Sequence, residues 1–197
     1  ATPRIAGFNV AGPRSREMLA GLTDADLSNE GSLFMRSRKI TVGGIDCLAI
    51  RVSFTGDLGW ELHCAVDDQT ALYEVLLEAA AAHGGGPVGG RALVALRIEK
   101  GYGSWGREYS PEYWPQEAGL HGLIKLDKDF LNKEAYLKIS NTPPRESLTM
   151  FEVDITDNAD ASGGEPIFMP DGTPVGRVTS GAYGYSVGKS LAIGFLN

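Results

Sequence analysis

Nothing constrains this chain more than the run Ser53-Phe54-Thr55-Gly56-Asp57-Leu58-Gly59-Trp60-Glu61 and the alternation that follows it. Two glycines bracket a short turn, after which residues 60–66 alternate as a half-buried strand does. Glycine admits positive φ and lets another group approach the backbone, because it has no Cβ to clash. Successive side chains of a strand point to opposite faces, so Trp60, Leu62, Cys64 and Val66 share one face while Glu61 and His63 share the other. The apolar face anchors the strand, and the turn sets where Glu61 emerges. Taken by itself this is a hairpin corner with a solvated carboxylate.

The chain has 197 residues, enough to bury a substantial core as one large domain or as one domain plus a smaller one. A formal charge of −7 and a pI near 5.0, with no basic stripe to offset them, argue against a nucleic-acid partner. No apolar run approaches membrane-spanning length, and no charged-then-apolar leader opens the chain. Cys47 and Cys64 lie in strand-like runs and read as buried thiols in a reducing compartment rather than as a disulfide scaffold. The chain enters an apolar run at residues 5–10 and stops inside another at 191–197. The expectation is therefore an excised piece of a longer protein, truncated at both ends.

Residues 6–10 read as a strand, and Gly12-Pro13-Arg14-Ser15 opens a helix to about Leu22, with proline favoured in the first turn. Residues 36–42 and 46–52 are strand-like runs around Gly43-Gly44, a hairpin pattern. Asp67-Asp68 can cap a helix to about His83, with Leu72, Val75, Leu76 and Ala79 at helical spacing. A glycine-rich connector over 84–90 precedes another helix over 91–100. Residues 101–119 form a long irregular stretch, and such loops inside a domain are often functional. Residues 121–126 read as a strand and 132–139 as a short helix; 140–145, with Pro143-Pro144, is the linker candidate. Short strands follow at 148–155, 166–169, 174–181 and 190–196, with a turn at Pro170-Asp171-Gly172. The fold class is α+β: a body over residues 1–145, then part of a small antiparallel barrel over 146–197.

Several chemistries drop out on context. Gly101-Tyr102-Gly103-Ser104-Trp105-Gly106 is a literal G-x-G-x-x-G, but it follows a helix and precedes a loop, the reverse of what dinucleotide binding needs. The connector over 84–90 lacks the Lys-Ser/Thr of a phosphate loop. His63, His83 and His121 are isolated from one another, and His63 and Cys64 point to opposite faces, so no metal site forms from them. No serine sits in a nucleophile elbow.

Residues 51–61 resemble the R-x-x-Y-T-G-E-x-G-x-E stretch of the folate-binding aminomethyltransferases, the glycine-cleavage T-protein family. Leu96-Arg97-Ile98-Glu99-Lys100-Gly101-Tyr102 is similar to that family's L-R-x-E-x-x-Y helix, Pro115-Gln116-Glu117-Ala118-Gly119-Leu120 to its P-x-E-A-G-L segment, and Lys125-Leu126-Asp127-Lys128-Asp129-Phe130-Leu131 to its K-x-x-K-x-D-F-I segment. Thr179-Ser180-Gly181 and Gly188-Lys189-Ser190 extend the likeness into the C-terminal part. Trp105-Gly106 and Tyr183-Gly184-Tyr185-Ser186 look most like the dimethylglycine and sarcosine dehydrogenases, which join a flavin-dependent half to a folate half.

The resemblance implies a T-protein-like folate-binding body with a small C-terminal antiparallel β-barrel, and tetrahydrofolate as cofactor. It implies a tetrahydrofolate module that captures the iminium from an oxidised N-methyl amine as 5,10-methylenetetrahydrofolate. FAD would belong to a domain upstream. Glu61 becomes the pterin anchor, since one carboxylate can accept from the exocyclic amine and ring N–H together. Phe54 stands where the family has tyrosine, keeping an aromatic face without the hydroxyl. Arg97 matches a folate-site arginine that could meet the ligand's carboxylate or orient Glu99; on spacing alone it is equally a surface salt bridge. Trp105 could wall the pocket or sit in the core, whereas Glu117 and Asp127 read as structural. The family's catalytic aspartate lies upstream of the segment matching Ala1, so no catalytic residue is assigned and the isolated fragment is expected to be inactive. Two alternatives stay open: a stand-alone aminomethyltransferase acting with a lipoyl carrier protein, and a non-catalytic folate-binding regulator. The expected location is the cytoplasm, or the mitochondrial matrix in a eukaryote.

Overall fold

In the computed structural model, which describes residues 4–155, 157 and 159–197, the chain divides into two units, Ala1–Gly90 and Arg91–Asn197. The first holds β1 (Ile5–Ala11), α1 (Ser15–Ala20), β2 (Ser37–Val42), β3 (Ile45–Ile50), β4 (Gly59–Ala65) and α2 (Gln69–Ala82). Its four strands form one antiparallel sheet in the order β1-β4-β3-β2. Gly43 and Gly44 both take positive φ, 55° and 83°, as a two-residue hairpin between β2 and β3 requires. Gly59 lets β4 meet β1: a Cβ there would stand 2.8 Å from the Val10 carbonyl oxygen.

The alternation read from the sequence decides which face of β4 is covered. Trp60, Leu62 and Cys64 lie in a core with Ile40, Val42, Cys47 and Ala49 from β2 and β3, Met18 and Leu19 from α1, and Leu72 and Leu76 from α2. Trp60, Leu62 and Leu72 are fully buried, and each such side chain stabilises by roughly 1.5–3 kcal/mol. Val66 does not continue that face; it leaves the strand and is 39% exposed. The expected Asp67-Asp68 cap is also absent. Val66–Asp68 forms a 3₁₀ turn leading into α2, and no side-chain capping bond is made at either start.

The second unit takes in α3 (Gly90–Glu99) from its second residue on and continues through the long irregular stretch to α4 (Lys133–Ser140). Four strands follow: β5 (Ser147–Val153), β6 (Pro166–Phe168), β7 (Pro174–Gly184) and β8 (Lys189–Leu196). They pair antiparallel in the order β5-β8-β7-β6, leaving β5 and β6 at the edges. Pro170-Asp171-Gly172 turns β6 into β7, with the Met169 N–H on the Thr173 carbonyl at 2.8 Å. Ile98, Leu191 and Ile193 form this unit's core, and buried Phe195 stacks on Tyr113 with ring centroids 3.9 Å apart.

Residues 121–126 are not a strand. His121–Leu123 is a 3₁₀ turn, closed by the Leu123 and Ile124 N–H groups on the Leu120 and His121 carbonyls. Leu123 is 75% and Leu126 45% exposed, so these side chains are not held in a core, and among the described residues no strand pairs with this stretch. The stretch holding Pro143-Pro144 joins α4 to β5 inside the second unit, so the units defined by packing divide at a different place from residue 145.

Candidate functional site

Glu61 and His63 lie on the face of the first sheet that α1 and α2 leave free. Glu61 pairs across β1 with Asn9 and across β3 with Ile50; His63 pairs with Gly7 and Leu48. The Glu61 side chain is 41% exposed. Among the described residues no N–H or O–H donates a hydrogen bond to its carboxylate; His63 Nε2 stands 3.4 Å from Oε2. That nitrogen is itself enclosed and without a hydrogen-bond partner. Gly7 makes room for the imidazole, since a Cβ there would lie 3.2 Å from Nδ1. The backbone beneath Glu61 is firmly set. Trp60 donates from Nε1 to Ser32 Oγ at 3.0 Å, and the Leu58 carbonyl accepts from the Gly12 N–H and from Ser15 Oγ. Phe54 is partly buried in the preceding turn, where Thr55 Oγ1 bonds Asp57.

Arg97 lies in a different setting, enclosed within the second unit. Its guanidinium donates from one terminal nitrogen to the Tyr102 carbonyl and to Glu108 Oε2 at 3.2 Å, and from the other to Ser180 Oγ at 2.6 Å. Glu108 accepts in addition from the Ser104 N–H at 2.8 Å and from the Thr179 and Ser180 hydroxyls at 2.6 Å each. Burial would raise the Glu108 pKa, but these bonds and the Arg97 charge outweigh it and hold the carboxyl at about 2. Burial in turn lowers the Arg97 pKa, against the pull of Glu108. Arg97 therefore forms neither a surface salt bridge nor a contact that orients Glu99. Glu99 instead accepts from the Ser186 N–H at 3.0 Å.

The other candidates separate as clearly. Trp105 is 85% exposed and so is not a core tryptophan. Glu117 is structural: Arg145 grips it through Nε and a terminal nitrogen at 2.7 Å each, and the Trp114 N–H donates at 2.8 Å. The Arg145 hydrogen bonds lead in holding that carboxyl at about 2. Asp127 is exposed. Glu61 and Phe54 belong to the first unit, Arg97 and Trp105 to the second. Two surface depressions stand out, one around Arg16, Thr23 and Asn29 and one around Leu123, Phe130 and Tyr136, and neither is lined by any of these four residues. Sequence reasoning missed Glu108 and Ser180 as partners of Arg97, and Thr179 as a further partner of Glu108. Its one pointer was the Thr179-Ser180-Gly181 run, which carried no indication of what it holds.

The architecture is a helix-backed four-stranded antiparallel sheet followed in sequence by a second four-stranded antiparallel sheet. Residues 1–128 match the profile of the GCVT N-terminal domain, and residues 147–197 that of the glycine cleavage T-protein C-terminal barrel domain. The chain belongs to the glycine cleavage T-protein family. It is 39% identical to a mouse protein named dimethylglycine dehydrogenase, mitochondrial, over 99% of this chain and 22% of that protein. It is 31% identical to an aminomethyltransferase of Caldanaerobacter subterraneus, over 98% of this chain and 51% of that protein. The crystal structure of the glycine cleavage system aminomethyltransferase T from Bartonella henselae superposes with a TM-score of 0.81 at 25% identity, over 98% of this chain and 51% of that one. The chain thus spans about half the length of the aminomethyltransferases it matches, and about a fifth of the dehydrogenase.

Proposed function

We propose that this chain is the tetrahydrofolate-binding part of a one-carbon transfer enzyme that works on an oxidised N-methyl amine of the dimethylglycine or sarcosine type. The observation that carries this is the state of Glu61: a half-exposed carboxylate on a strand paired on both sides, with no donor bonded to it among the described residues. A pterin edge offers an exocyclic amine and a ring N–H side by side, which that carboxylate fits. Phe54, in the turn that leads into the same strand, supplies an aromatic face for stacking. Arg97 acts as a positioning residue, holding the 101–109 loop against β7. Tetrahydrofolate supplies the nitrogens that take up the one-carbon unit, giving 5,10-methylenetetrahydrofolate. The catalytic aspartate and an FAD-bearing amine-oxidising half belong to other parts of such an enzyme, as does the mitochondrial matrix location of a eukaryotic form. The division at residue 145 separates its folate body from its barrel, a reading supported by the gap between the two matched family segments.

The higher identity to the dehydrogenase than to the aminomethyltransferase favours the amine-oxidising enzyme over one that receives its aminomethyl group from a lipoyl carrier protein. The test is calorimetric titration of tetrahydrofolate against the protein at its natural length, as wild type and as Glu61→Gln. A tenfold or greater loss of affinity in the variant supports the assignment. Equal affinities return Glu61 to a solvated carboxylate at a strand start.

A further inference from the structure

Cys47 on β3 and Cys64 on β4 are both free thiols on the helix-covered face of the first sheet, 3% and 4% exposed. Strands β3 and β4 run antiparallel, with Leu48 opposite His63, Ala49 opposite Leu62 and Ile50 opposite Glu61. One step further along the same register, Cys47 comes opposite Cys64. Directly opposed residues of an antiparallel pair have Cα atoms about 4.5–5.5 Å apart, inside the span of about 4.4–6.8 Å that a disulfide bridges. Neither cysteine is free to move aside. Ile40 stands opposite Cys47 across β2, and Ala6 opposite Cys64 across β1, so both strands are paired on their outer sides as well.

We propose that Cys47 and Cys64 form a redox-modification site, a cross-strand dithiol that closes to a disulfide and staples β3 to β4. The co-reactant is a small-molecule disulfide. One cysteine thiolate attacks a sulfur of that molecule, forming a mixed disulfide and expelling the first small thiolate. The other cysteine then loses its proton and attacks the mixed disulfide, forming the internal S–S bond and expelling the second. The protein gives up two electrons and two protons, and the small disulfide leaves as two thiols. The reaction is slow in the native state. Burial first, then the charges of Cys64, Asp46 and Asp68, push the Cys47 thiol up to about 11, and burial raises Cys64 too. The thiols therefore stay protonated near neutral pH, and only sustained oxidation closes the site. The closed loop encloses residues 48–63, and with them the turn and strand start that set the position of Glu61. The proposal stands whether or not Glu61 holds a pterin.

The test is oxidation of the intact chain with oxidised glutathione, with and without sub-denaturing urea, followed by alkylation in denaturant and intact-mass measurement. Wild type should lose both alkylatable thiols together, fall in mass by two hydrogens, stay monomeric, and unfold at higher urea than its reduced form. Cys47→Ala and Cys64→Ala should instead gain a single glutathione and form no internal link. Two glutathiones on one wild-type chain, chain-to-chain dimers, or two free thiols surviving oxidation in urea would each overturn the proposal.

Discussion

Glu61 in the first unit and Glu108 in the second are both carboxylates placed by extended or irregular backbone, yet they are used in opposite ways. Glu61 is 41% exposed, accepts no hydrogen bond among the described residues, and has the His63 Nε2 3.4 Å from its carboxylate. Glu108 is fully enclosed and accepts from Ser104, Thr179, Ser180 and Arg97. A carboxylate whose lone pairs are filled from within the protein has no capacity left for a ligand; its loss would be felt as instability. One whose lone pairs are open contributes little to folding, and its loss would be felt in binding. Variants at these positions test that division directly.

The largest effect is expected at Glu108. Replacing it by alanine leaves Arg97 charged and buried without its partner, which costs about 3–5 kcal/mol of folding stability. Urea unfolding measures this, and a loss below about 1 kcal/mol would place the network among ordinary surface pairs. Replacing Arg97 by Met together with Glu108 by Leu should be milder, because no lone charge remains.

Acid should act through the same filled carboxylates. Glu108 and Glu117 are both held at about 2 in the folded protein, below the roughly 4.3 of an unfolded glutamate. The folded state therefore binds fewer protons between those values. Their contribution is complete above about pH 5 and is lost as pH falls towards the folded value. Unfolding free energy should be level from about pH 7 to about pH 5 and fall steeply below. Glu117→Gln should flatten that fall, and an unchanged slope would detach the ion pair with Arg145 from acid sensitivity.

Glu61→Gln comes next in size. Tetrahydrofolate affinity should drop ten- to a hundredfold, about 1.4–2.8 kcal/mol, while folding stability changes by no more than about 0.5 kcal/mol. A large stability loss with unchanged affinity would invert the contrast between the two carboxylates. The smallest effect is expected at Glu152. It bonds Lys189 at 2.6 Å, but both side chains are more than half exposed, so Glu152→Ala should cost only about 0–1 kcal/mol. A larger cost would show that a filled carboxylate matters here even in solvent.

Legibility in the sequence followed the distance over which each feature is encoded. The β2–β3 hairpin was readable because Gly43-Gly44 meets a backbone requirement within two residues. The face of Glu61 was readable because Trp60, Leu62 and Cys64 report the pleat at once. Residues 121–126 misled for the converse reason. Leu123, Ile124 and Leu126 suit a strand locally, but a strand exists only where another is available to pair with it, and among the described residues none pairs here. The aspartates before α2 misled in a similar way, since a 3₁₀ turn took up the space in which a cap would have formed.

Local sequence by itself determined most of the strands, the glycine turns and the shared face of Trp60, Leu62 and Cys64, because periodicity and glycine placement act over a few residues. Resemblance added the family, through motifs in register along most of the chain. Tertiary structure alone decided that Arg97 is a buried clamp, since its partner Glu108 lies 11 residues away and Ser180 lies 83 away. It alone decided that Glu117 belongs to Arg145, 28 residues on, and that Leu48 stands opposite His63, the register whose next step leads to Cys47 and Cys64. The physical reason is common to all three. The free energy of a buried charge or thiol depends on what surrounds it, and those neighbours come from distant parts of the chain that only folding brings together.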